Sequence, residues 1–286
     1  MSHPYLEFVR GCARAYRAGM GLPLGGFPAC ARPPSPAGAP KVLVFAPHPD
    51  DECIVGALAL RLLREAGMTV VNVAVTQGSN RARQAARFEE LRRAVGFLGF
   101  GLIQARENGL EGVNLKSRAQ QPEAWAVSVS VIEGILDGER PQIVFIPHAG
   151  DWNSTHIGTH HLVMDALGRL GGRACCHVVE TEFWGALPSP NVMVESGEQD
   201  VADLVAATSF HVGEVNRNPY HLRLPSWMQD NVRRGGELVG GQGGVVPDFM
   251  FATLYRICRW DGAGLVPAYA GGRFVAAGEN PAGLFA

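Results

Sequence analysis

Short apolar runs alternate with longer segments of mixed polarity through the first two thirds of the chain. The runs have the length of buried strands, whereas several of the longer segments are rich in residues that favour helices, such as Ala, Leu, Arg and Glu. In chain order the pattern predicts a strand at 41–46, a helix at about 53–66, a strand at 68–75, helices at about 81–98 and 122–137, a strand at 143–146, a helix at about 155–170 and a strand near 175–181. This alternation predicts a Rossmann-like α/β fold, with a largely parallel sheet and helices on both faces.

Both ends of the chain depart from this alternation. Residues 4–20 carry apolar side chains at helical spacing, which predicts an amphipathic helix, and residues 21–40 are crowded with Gly and Pro, which predicts an irregular arm. After about residue 182 the sequence is again rich in Pro and Gly, so we expect an irregular C-terminal extension that covers the substrate. We therefore divide the chain into an N-terminal helix and arm, 1–40, and one α/β domain, 41–286.

Composition narrows the class of protein. Apolar residues make up 47% of the chain and charged residues 18%, which is typical of a globular protein. A net charge of −2 gives no electrostatic reason to expect a nucleic-acid partner. We find no signal-peptide pattern and no apolar run of about 18 residues, so we expect no transmembrane segment. The six cysteines form no Cys-x-x-Cys pair, which favours reduced thiols in a cytoplasmic protein.

A Gly-rich segment at 235–244 has the composition of a phosphate-binding loop but lacks the Gly-Lys-Ser/Thr ending of that motif. We therefore predict a mobile or tightly turned loop here. No Gly-x-Gly-x-x-Gly motif follows a predicted strand either. A metal-free nucleotide-binding α/β protein is the disfavoured alternative.

The most unusual polar cluster is Pro-His-Pro-Asp-Asp-Glu at 47–52, directly after the strand at 41–46. One imidazole and three carboxylates within five residues are costly to crowd together unless a cation neutralises them, and His and Asp together suit a divalent ion such as zinc. A second group follows the strand at 143–146 and comprises His156, His160 and His161. Ligands of such sheets bind at the carboxyl ends of the strands, so the two groups predict one metal-binding crevice.

The spacing within the first cluster assigns different chemistry to its members. His48 and Asp51 lie three residues apart at a strand-to-helix turn, where both side chains can converge on one ion. Asp50 lies between them, and if it is not a ligand it can take the proton of a water that the metal activates. The alternative is that these acids only cap the following helix. Capping requires one such residue, so the metal site is favoured.

The motif at 47–52 resembles the first motif of the LmbE-like or PIG-L family of zinc-dependent N-deacetylases, which remove acetyl groups from N-acetylglucosamine-type moieties. Further similarities to the family's landmarks, between about residues 40 and 215, are Thr76-Gln77-Gly78, Arg87-x-x-Glu90-Leu91, Trp184, Pro190-Asn191 and His211. The resemblance implies that His48 and Asp51 bind zinc and that Asp50 is the general base. It also implies that Arg87 reaches the sugar, and we expect Trp184 to contact the substrate as well.

The second metal motif departs from the family pattern. The family commonly has Asp-x-His-x-Asp-His, whereas this chain has Asp-Trp-Asn-Ser-Thr-His at 151–156. Asn153 thus replaces the His that assists as an acid, and we expect Asn153 to contact the substrate instead. His156 stays in register as the third zinc ligand. His160 lies four residues later, on the same helical face, and is either an alternative ligand or the missing acid.

Together these features predict a metal-dependent hydrolase that removes an N-acetyl or other N-acyl group from an amino sugar or its conjugate. Asp50 would activate the water, His160 and His211 would assist catalysis, and His148 and His211 are alternatively hydrogen-bonded core histidines. The expected cofactor is Zn²⁺, with another divalent transition metal as the alternative. A catalytically weakened metal- or sugar-binding relative and an amidase with a non-sugar substrate remain as alternative functions. The N-terminal helix could serve a homo-oligomer.

Overall fold

The computed structural model describes residues 3–31 and 34–286, and it confirms the predicted alternation of strands and helices. Helices and strands follow in the order α1 (Tyr5–Gly19), β1 (Lys41–Ala46), α2 (Asp51–Ile54), α3 (Leu58–Arg64), β2 (Thr69–Ala74), α4 (Arg81–Leu98), β3 (Gly101–Gln104), α5 (Leu115–Gln120), α6 (Pro122–Glu139), β4 (Ile143–Pro147), α7 (Ser154–Leu170), β5 (His177–Thr181), β6 (Val192–Glu195), α8 (Glu198–Ser209), α9 (Val212–Val215), α10 (Leu224–Leu238), β7 (Ala252–Trp260), β8 (Leu265–Pro267) and β9 (Arg273–Val275). Short 3₁₀ helices lie at Gly171–Arg173, Tyr220–Arg223 and Pro281–Phe285.

The strands of the described residues form one sheet in the order β3-β2-β1-β4-β5-β7-β6-β9, with β8 paired to β7. Neighbouring strands from β3 to β5 in that order are all parallel, as the alternation predicts. Strand β7 runs antiparallel to both β5 and β6. The sheet is therefore mostly parallel, and its antiparallel part comes from the C-terminal third of the chain.

Helices cover both faces of the sheet. Alternate residues of β1 point to opposite faces, so that Val42 and Val44 pack with α3, α4 and α8, whereas Leu43 and Phe45 pack with α6 and α7. Both sets of side chains are fully buried. The predicted fold class is confirmed.

The C-terminal region differs from the irregular extension that we predicted. After residue 182 it contains the helices α8 and α10, as well as β7, whose nine residues extend the sheet. The predicted loop at 235–244 begins inside α10. A Cβ at Gly235 would lie 2.4 Å from the sulfur of Met193, and one at Gly236 would lie 2.4 Å from Val246 Cγ2. These glycines allow α10 to pack closely against Met193 and Val246. A Gly-rich segment is typical of a turn, so the sequence did not indicate that the helix extends into it.

The predicted helix at 53–66 is split into α2 and α3. Gly56 has a φ of +81°, and a Cβ there would lie 2.3 Å from Thr253 Oγ1. The hydroxyl of Tyr255 also donates a hydrogen bond of 2.8 Å to the carbonyl of Val55. The break therefore lets the chain turn tightly against β7, a contact that the local sequence does not reveal.

The N-terminal segment lies on the surface. Helix α1 forms as predicted and has no buried residue, so Tyr5 and Phe8 are largely exposed. Residues 21–40 contain no helix or strand, as predicted, although residues 32 and 33 lie outside the described part of the chain. In the residues that the structure describes, no helix is both long enough and apolar enough to cross a membrane.

Candidate active site

The two polar motifs meet at the carboxyl ends of β1 and β4, which are neighbours in the sheet. The chain leaves β1 through His48 and enters the short helix α2, which begins at Asp51. It leaves β4 and enters α7, where the side chain of Asn153 caps the helix by accepting a hydrogen bond of 2.8 Å from Thr155 N–H. This cap fixes the first turn of α7, which carries His156. The predicted ligands therefore come from neighbouring strand ends.

Three side-chain atoms converge at this point. The distances between His48 Nδ1, Asp51 Oδ2 and His156 Nε2 are all 3.2 Å. Bonds of about 2.0–2.1 Å to a tetrahedral zinc would place ligand atoms about 3.3–3.4 Å apart. Asp51 and His156 are buried, whereas His48 is partly exposed to the adjoining cleft. The geometry and the N, N, O donor set therefore fit Zn²⁺ or a similar divalent ion.

The charges around this point favour a bound cation. Burial alone would raise the pKa of Asp51, but His156 and His48 outweigh burial and hold the pKa well below its usual range. Burial likewise lowers the pKa of His156, but the carboxylates of Asp51 and Asp151 outweigh it and raise the pKa to about 10. The protein thus stabilises a positive charge between these groups. A metal ion at the same place would supply this positive charge instead of a proton on His156.

Asp151 supports His156 from behind. Its Oδ1 lies 3.7 Å from His156 Nδ1 and accepts a hydrogen bond of 2.8 Å from the backbone N–H of Asn153. Its Oδ2 accepts hydrogen bonds from the backbone N–H groups of Trp184 and Gly185 at 3.2 and 3.3 Å. The separation of 3.7 Å from His156 Nδ1 is that of an ion pair rather than of a hydrogen bond, and it places a carboxylate where it could orient the ring of the predicted ligand.

Asp50 is also buried and is adjacent in sequence to Asp51, but it does not belong to the group of three convergent side chains. Its φ is +115°, a left-handed conformation that costs of order 1–3 kcal/mol in a residue other than Gly. Burial and the neighbouring carboxylate of Asp51 raise the pKa of Asp50 to about 6. A base with a pKa in this range suits proton transfer near neutral pH.

Two further side chains hold Asp50. The hydroxyl of Tyr220 donates a hydrogen bond to Asp50 Oδ2. Arg87 Nη2 lies 3.8 Å from Asp50 Oδ1 and donates a hydrogen bond of 2.9 Å to the carbonyl of Pro49. Our sequence reasoning missed Tyr220 because it lies in the region that we expected to be irregular and belongs to no motif. Arg87 stays a prediction as a sugar-binding residue, and its contacts also give it a role beside Asp50.

His211 is fully buried behind Asp50 rather than beside the ligand atoms. Its Nε2 lies 2.7 Å from Glu52 Oε1, and Glu52 Oε2 accepts a hydrogen bond of 2.9 Å from the backbone N–H of Asp50. The thiol of Cys53 donates to the same Glu52 at 3.1 Å, and burial raises the pKa of Cys53 well above its usual value. Glu52, Cys53 and His211 thus bond to one another, although His211 Nδ1 is buried without a hydrogen-bond partner, and their ligand atoms also lie close enough together to hold a metal ion. His211 stays a prediction as a catalytic residue, and its contacts support Asp50 through Glu52.

The remaining predicted histidines already have hydrogen-bond partners. His160 Nδ1 donates to the carbonyl of Pro147 at 3.0 Å, and burial lowers the pKa of His160 to about 4. His160 does not join the group of three ligand atoms, so His156 rather than His160 meets His48 and Asp51. His148 Nε2 donates to the carbonyl of Gly185 at 2.9 Å, and its Nδ1 accepts from Gly150 N–H at 3.2 Å. His148 thus has the contacts of a core histidine.

Two cavities lie near the site. One, of about 500 Å³, reaches His48 and is lined mainly by polar groups, including Arg81, Gln84, Glu111 and Asn114. The other, of about 210 Å³, is lined by aromatic and aliphatic side chains, including Trp184 and Tyr220. The indole of Trp184 is 45% exposed, and its ring centroid lies 6.0 Å from that of Tyr220. Trp184 therefore stands at the mouth of the apolar cavity, where we predict that it contacts the substrate.

Comparison with solved structures places the fold among known proteins. The chain is similar to the N,N'-diacetylchitobiose deacetylase of Pyrococcus horikoshii, with 15% identity and a TM-score of 0.53 over 90% of this chain and 93% of that one. It is also similar to the A40926 pseudoaglycone deacetylase Dbv21, with 16% identity and a TM-score of 0.56 over 77% and 97% of the two chains. GalB, the 4-carboxy-2-hydroxymuconate hydratase of Pseudomonas putida KT2440, matches with 15% identity and a TM-score of 0.54 over 76% and 95%. The hydratase shows that one fold supports different reactions.

At the level of sequence, no curated protein matches the chain. Residues 43–167 match the family model described as PIG-L: GlcNAc-PI de-N-acetylase. This stretch includes both polar motifs and all three convergent side chains. The resemblance predicted from the first motif is thus confirmed by the match of residues 43–167 to the PIG-L family model.

Proposed function

We propose that this protein is a metal-dependent N-deacetylase that removes an N-acetyl or other N-acyl group from an amino sugar or an amino-sugar conjugate. The observation that carries the proposal is the triangle of His48, Asp51 and His156 with Asp50 beside it. The description of the matching family and the two similar deacetylases support the same reaction. The hydratase that shares the fold lends no support to amide hydrolysis, so the proposal rests on the site.

His48, Asp51 and His156 would hold the ion, and Asp151 would hold the ring of His156 in place. Zn²⁺ or another divalent transition metal would supply a Lewis acid that polarises the amide carbonyl and lowers the pKa of a water to about 7. The buried carboxylates of this chain then neutralise the ion, and the partial exposure of His48 leaves the centre accessible from the polar cavity.

Asp50 would accept the proton of the attacking water. Asp50 would then pass that proton to the departing amine, so one residue would act first as base and then as acid. This dual role fits the rest of the site, because Asn153 caps α7 and His160 donates its Nδ1 proton to Pro147. Tyr220 would keep Asp50 oriented and favour its ionised form.

The polar cavity would receive the sugar. Arg81 and Glu111 form an ion pair of 2.8 Å at its edge, and Gln84 and Asn114 add amide groups that can bind hydroxyls. Arg87 lies close to Asp50, where it would contact the part of the sugar nearest the amide. A polar amine component is therefore expected on the His48 side of the reacting bond.

The test measures bound metal and released acetate for the same set of proteins. Wild type, His156→Ala and the matched control His160→Ala are purified without added metal, analysed for bound zinc and assayed on N-acetylglucosamine and its conjugates. We expect about one zinc per chain in wild type and His160→Ala, little in His156→Ala, and acetate release only from the two metal-containing proteins. Metal-free wild type would refute the proposal.

The same assay separates the alternative functions. Zinc bound to a wild type that releases no acetate from any amino sugar, but cleaves non-sugar N-acyl amines, would indicate an amidase. Zinc without hydrolysis of any amide would indicate a relative that only binds metal or sugar. Zinc retained by His156→Ala and lost by His160→Ala would move the third ligand to His160.

A further inference from the structure

We infer that the apolar cavity beside Asp50 binds the acyl group of the substrate and that this group is longer than acetyl. The inference rests on the proposed hydrolysis of an N-acyl amine and specifies its substrate class as a medium-chain N-acyl derivative of a polar amine. The cavity has a volume of about 210 Å³. An acetyl group would place only one methyl group in this cavity.

The lining of the cavity is almost entirely apolar. It is formed by Ile54, Phe183, Trp184, Tyr220, Leu224 and Trp227. The charged residue of the lining is Arg223, whose guanidinium carbon lies 3.9 Å from the ring centroid of Tyr16 in α1. The charge of Arg223 is therefore engaged by an aromatic face of the N-terminal helix.

Two side chains that line the cavity contact the candidate catalytic groups. The ring of Phe183 packs edge-on against the imidazole of His156, with 4.9 Å between the ring centroids. The ring of Tyr220 lines the cavity while its hydroxyl contacts Asp50. Ile54 ends the short helix α2, which starts at the ligand Asp51. An acyl chain bound here would extend along Phe183 and Tyr220 from the carbonyl carbon that the water would attack.

The polar atom of one aromatic wall is held away from the ligand. Trp227 Nε1–H donates a hydrogen bond of 3.1 Å to Glu182 Oε1. Glu182 is buried, pairs with Arg234 and accepts a hydrogen bond of 2.6 Å from Leu187 N–H. The indole ring is thus fixed by a buried network and presents carbon atoms to the cavity. Such pre-organisation is typical of a binding site rather than of a gap in packing.

The polarity of the two cavities indicates which half of the substrate each would bind. The cavity at His48 is lined by polar groups, whereas the cavity at Trp184 and Tyr220 is lined by apolar ones, two of which contact Asp50 and His156. An amide whose carbonyl lies at the centre would place its amine half on the polar side and its acyl half on the apolar side. Because a cavity of about 150 Å³ holds benzene, the larger cavity here can hold an acyl chain of about six carbons.

The expected gain follows from burial of methylene groups. Each buried methylene increases binding by about fourfold. An N-hexanoyl substrate adds four methylenes to the acetyl compound, so its kcat/KM should exceed that of the acetyl compound by about two orders of magnitude. Chains longer than the cavity should give no further gain.

The experiment compares N-acetyl-, N-butanoyl-, N-hexanoyl- and N-decanoyl-glucosamine with zinc-loaded wild type, Trp184→Ala and Trp152→Ala. Trp152 is 78% exposed and lies outside the apolar cavity, so it is the matched control. We expect a hexanoyl-to-acetyl ratio of about 100 in wild type and Trp152→Ala, and a ratio at least about fourfold lower in Trp184→Ala. Quenching of tryptophan fluorescence by hexanoate, but not by acetate, should report the same preference without turnover.

Equal or lower kcat/KM for longer acyl chains would overturn the acyl assignment while leaving the hydrolase in place. An increase in kcat/KM with the length of an alkyl aglycone, measured on substrates that all carry an N-acetyl group, would also overturn it. That result would assign the cavity to the amine half of the substrate. Hydrolysis of no amide by the zinc-loaded protein would instead refute the proposed function and the inference with it.

Discussion

The hydroxyl of Tyr220 should control the pH at which Asp50 is active. The proposed base Asp50 would work only when it is ionised, and its pKa without a metal ion is about 6. A bound divalent ion lowers this pKa, so the kcat/KM should fall as the pH decreases through a range below about 6. Burial and the charge of Asp50 raise the pKa of Tyr220, so its hydroxyl stays protonated and donates to the ionised carboxylate. Tyr220→Phe removes this donor and keeps the ring.

The magnitude follows from the lost hydrogen bond. A hydrogen bond to a charged group contributes about 1.5–3 kcal/mol, and one pKa unit corresponds to about 1.4 kcal/mol. Loss of the bond to Tyr220 should therefore raise the pKa of Asp50 by about 1–2 units. The acidic limb of the profile should move to higher pH by that amount. A bound divalent ion lowers the pKa of Asp50 in both proteins, so the difference between them is the quantity to measure.

The assay measures kcat/KM for acyl release between about pH 4 and 9, with bound zinc determined at each end of the range. Tyr269→Phe is the matched control, because it loses a hydroxyl that donates to the carbonyl of Leu284, outside the lining of both cavities. Its acidic limb should coincide with that of wild type. Coincident limbs for wild type and Tyr220→Phe would refute the role of Tyr220, as would a uniform loss of activity at every pH.

Four further variants test the site and the fold. Asp50→Asn should keep its zinc but lose about 10²–10⁴-fold in kcat, measured by acetate release beside metal analysis. Asp151→Asn should weaken zinc binding by about 10–100-fold in a chelator competition. His211→Ala leaves a buried carboxylate unpaired and should lower the free energy of unfolding by about 3–5 kcal/mol in urea. Gly56→Ala should cost about 2 kcal/mol or more, because its φ is +81° and the new Cβ has no room, whereas Gly168→Ala, with open space in α7, should be neutral or stabilising. Unchanged values in any of the four variants would contradict the role assigned to that residue.

The parallel half of the sheet could be predicted because its signals are local. The apolar runs of β1 and β4 and the helix-favouring Arg, Glu and Ala content of α4 each lie within one segment. The C-terminal elements could not be predicted in the same way. Helix α10 contains Gly235 and Gly236, which are poor helix formers in isolation, and they are accommodated only because Met193 and Val246 lie close to their backbone.

The sequence by itself determined the chemistry of the candidate metal site. His48 and Asp51 lie three residues apart at the end of a strand, and that short stretch brings both side chains to one point. The tertiary structure decided what lies around them. It brought His156 rather than His160 to the ligands, because β4 lies next to β1 and α7 begins with a fixed cap. It also placed Tyr220 on Asp50, since residues 170 positions apart meet only when the whole chain is packed.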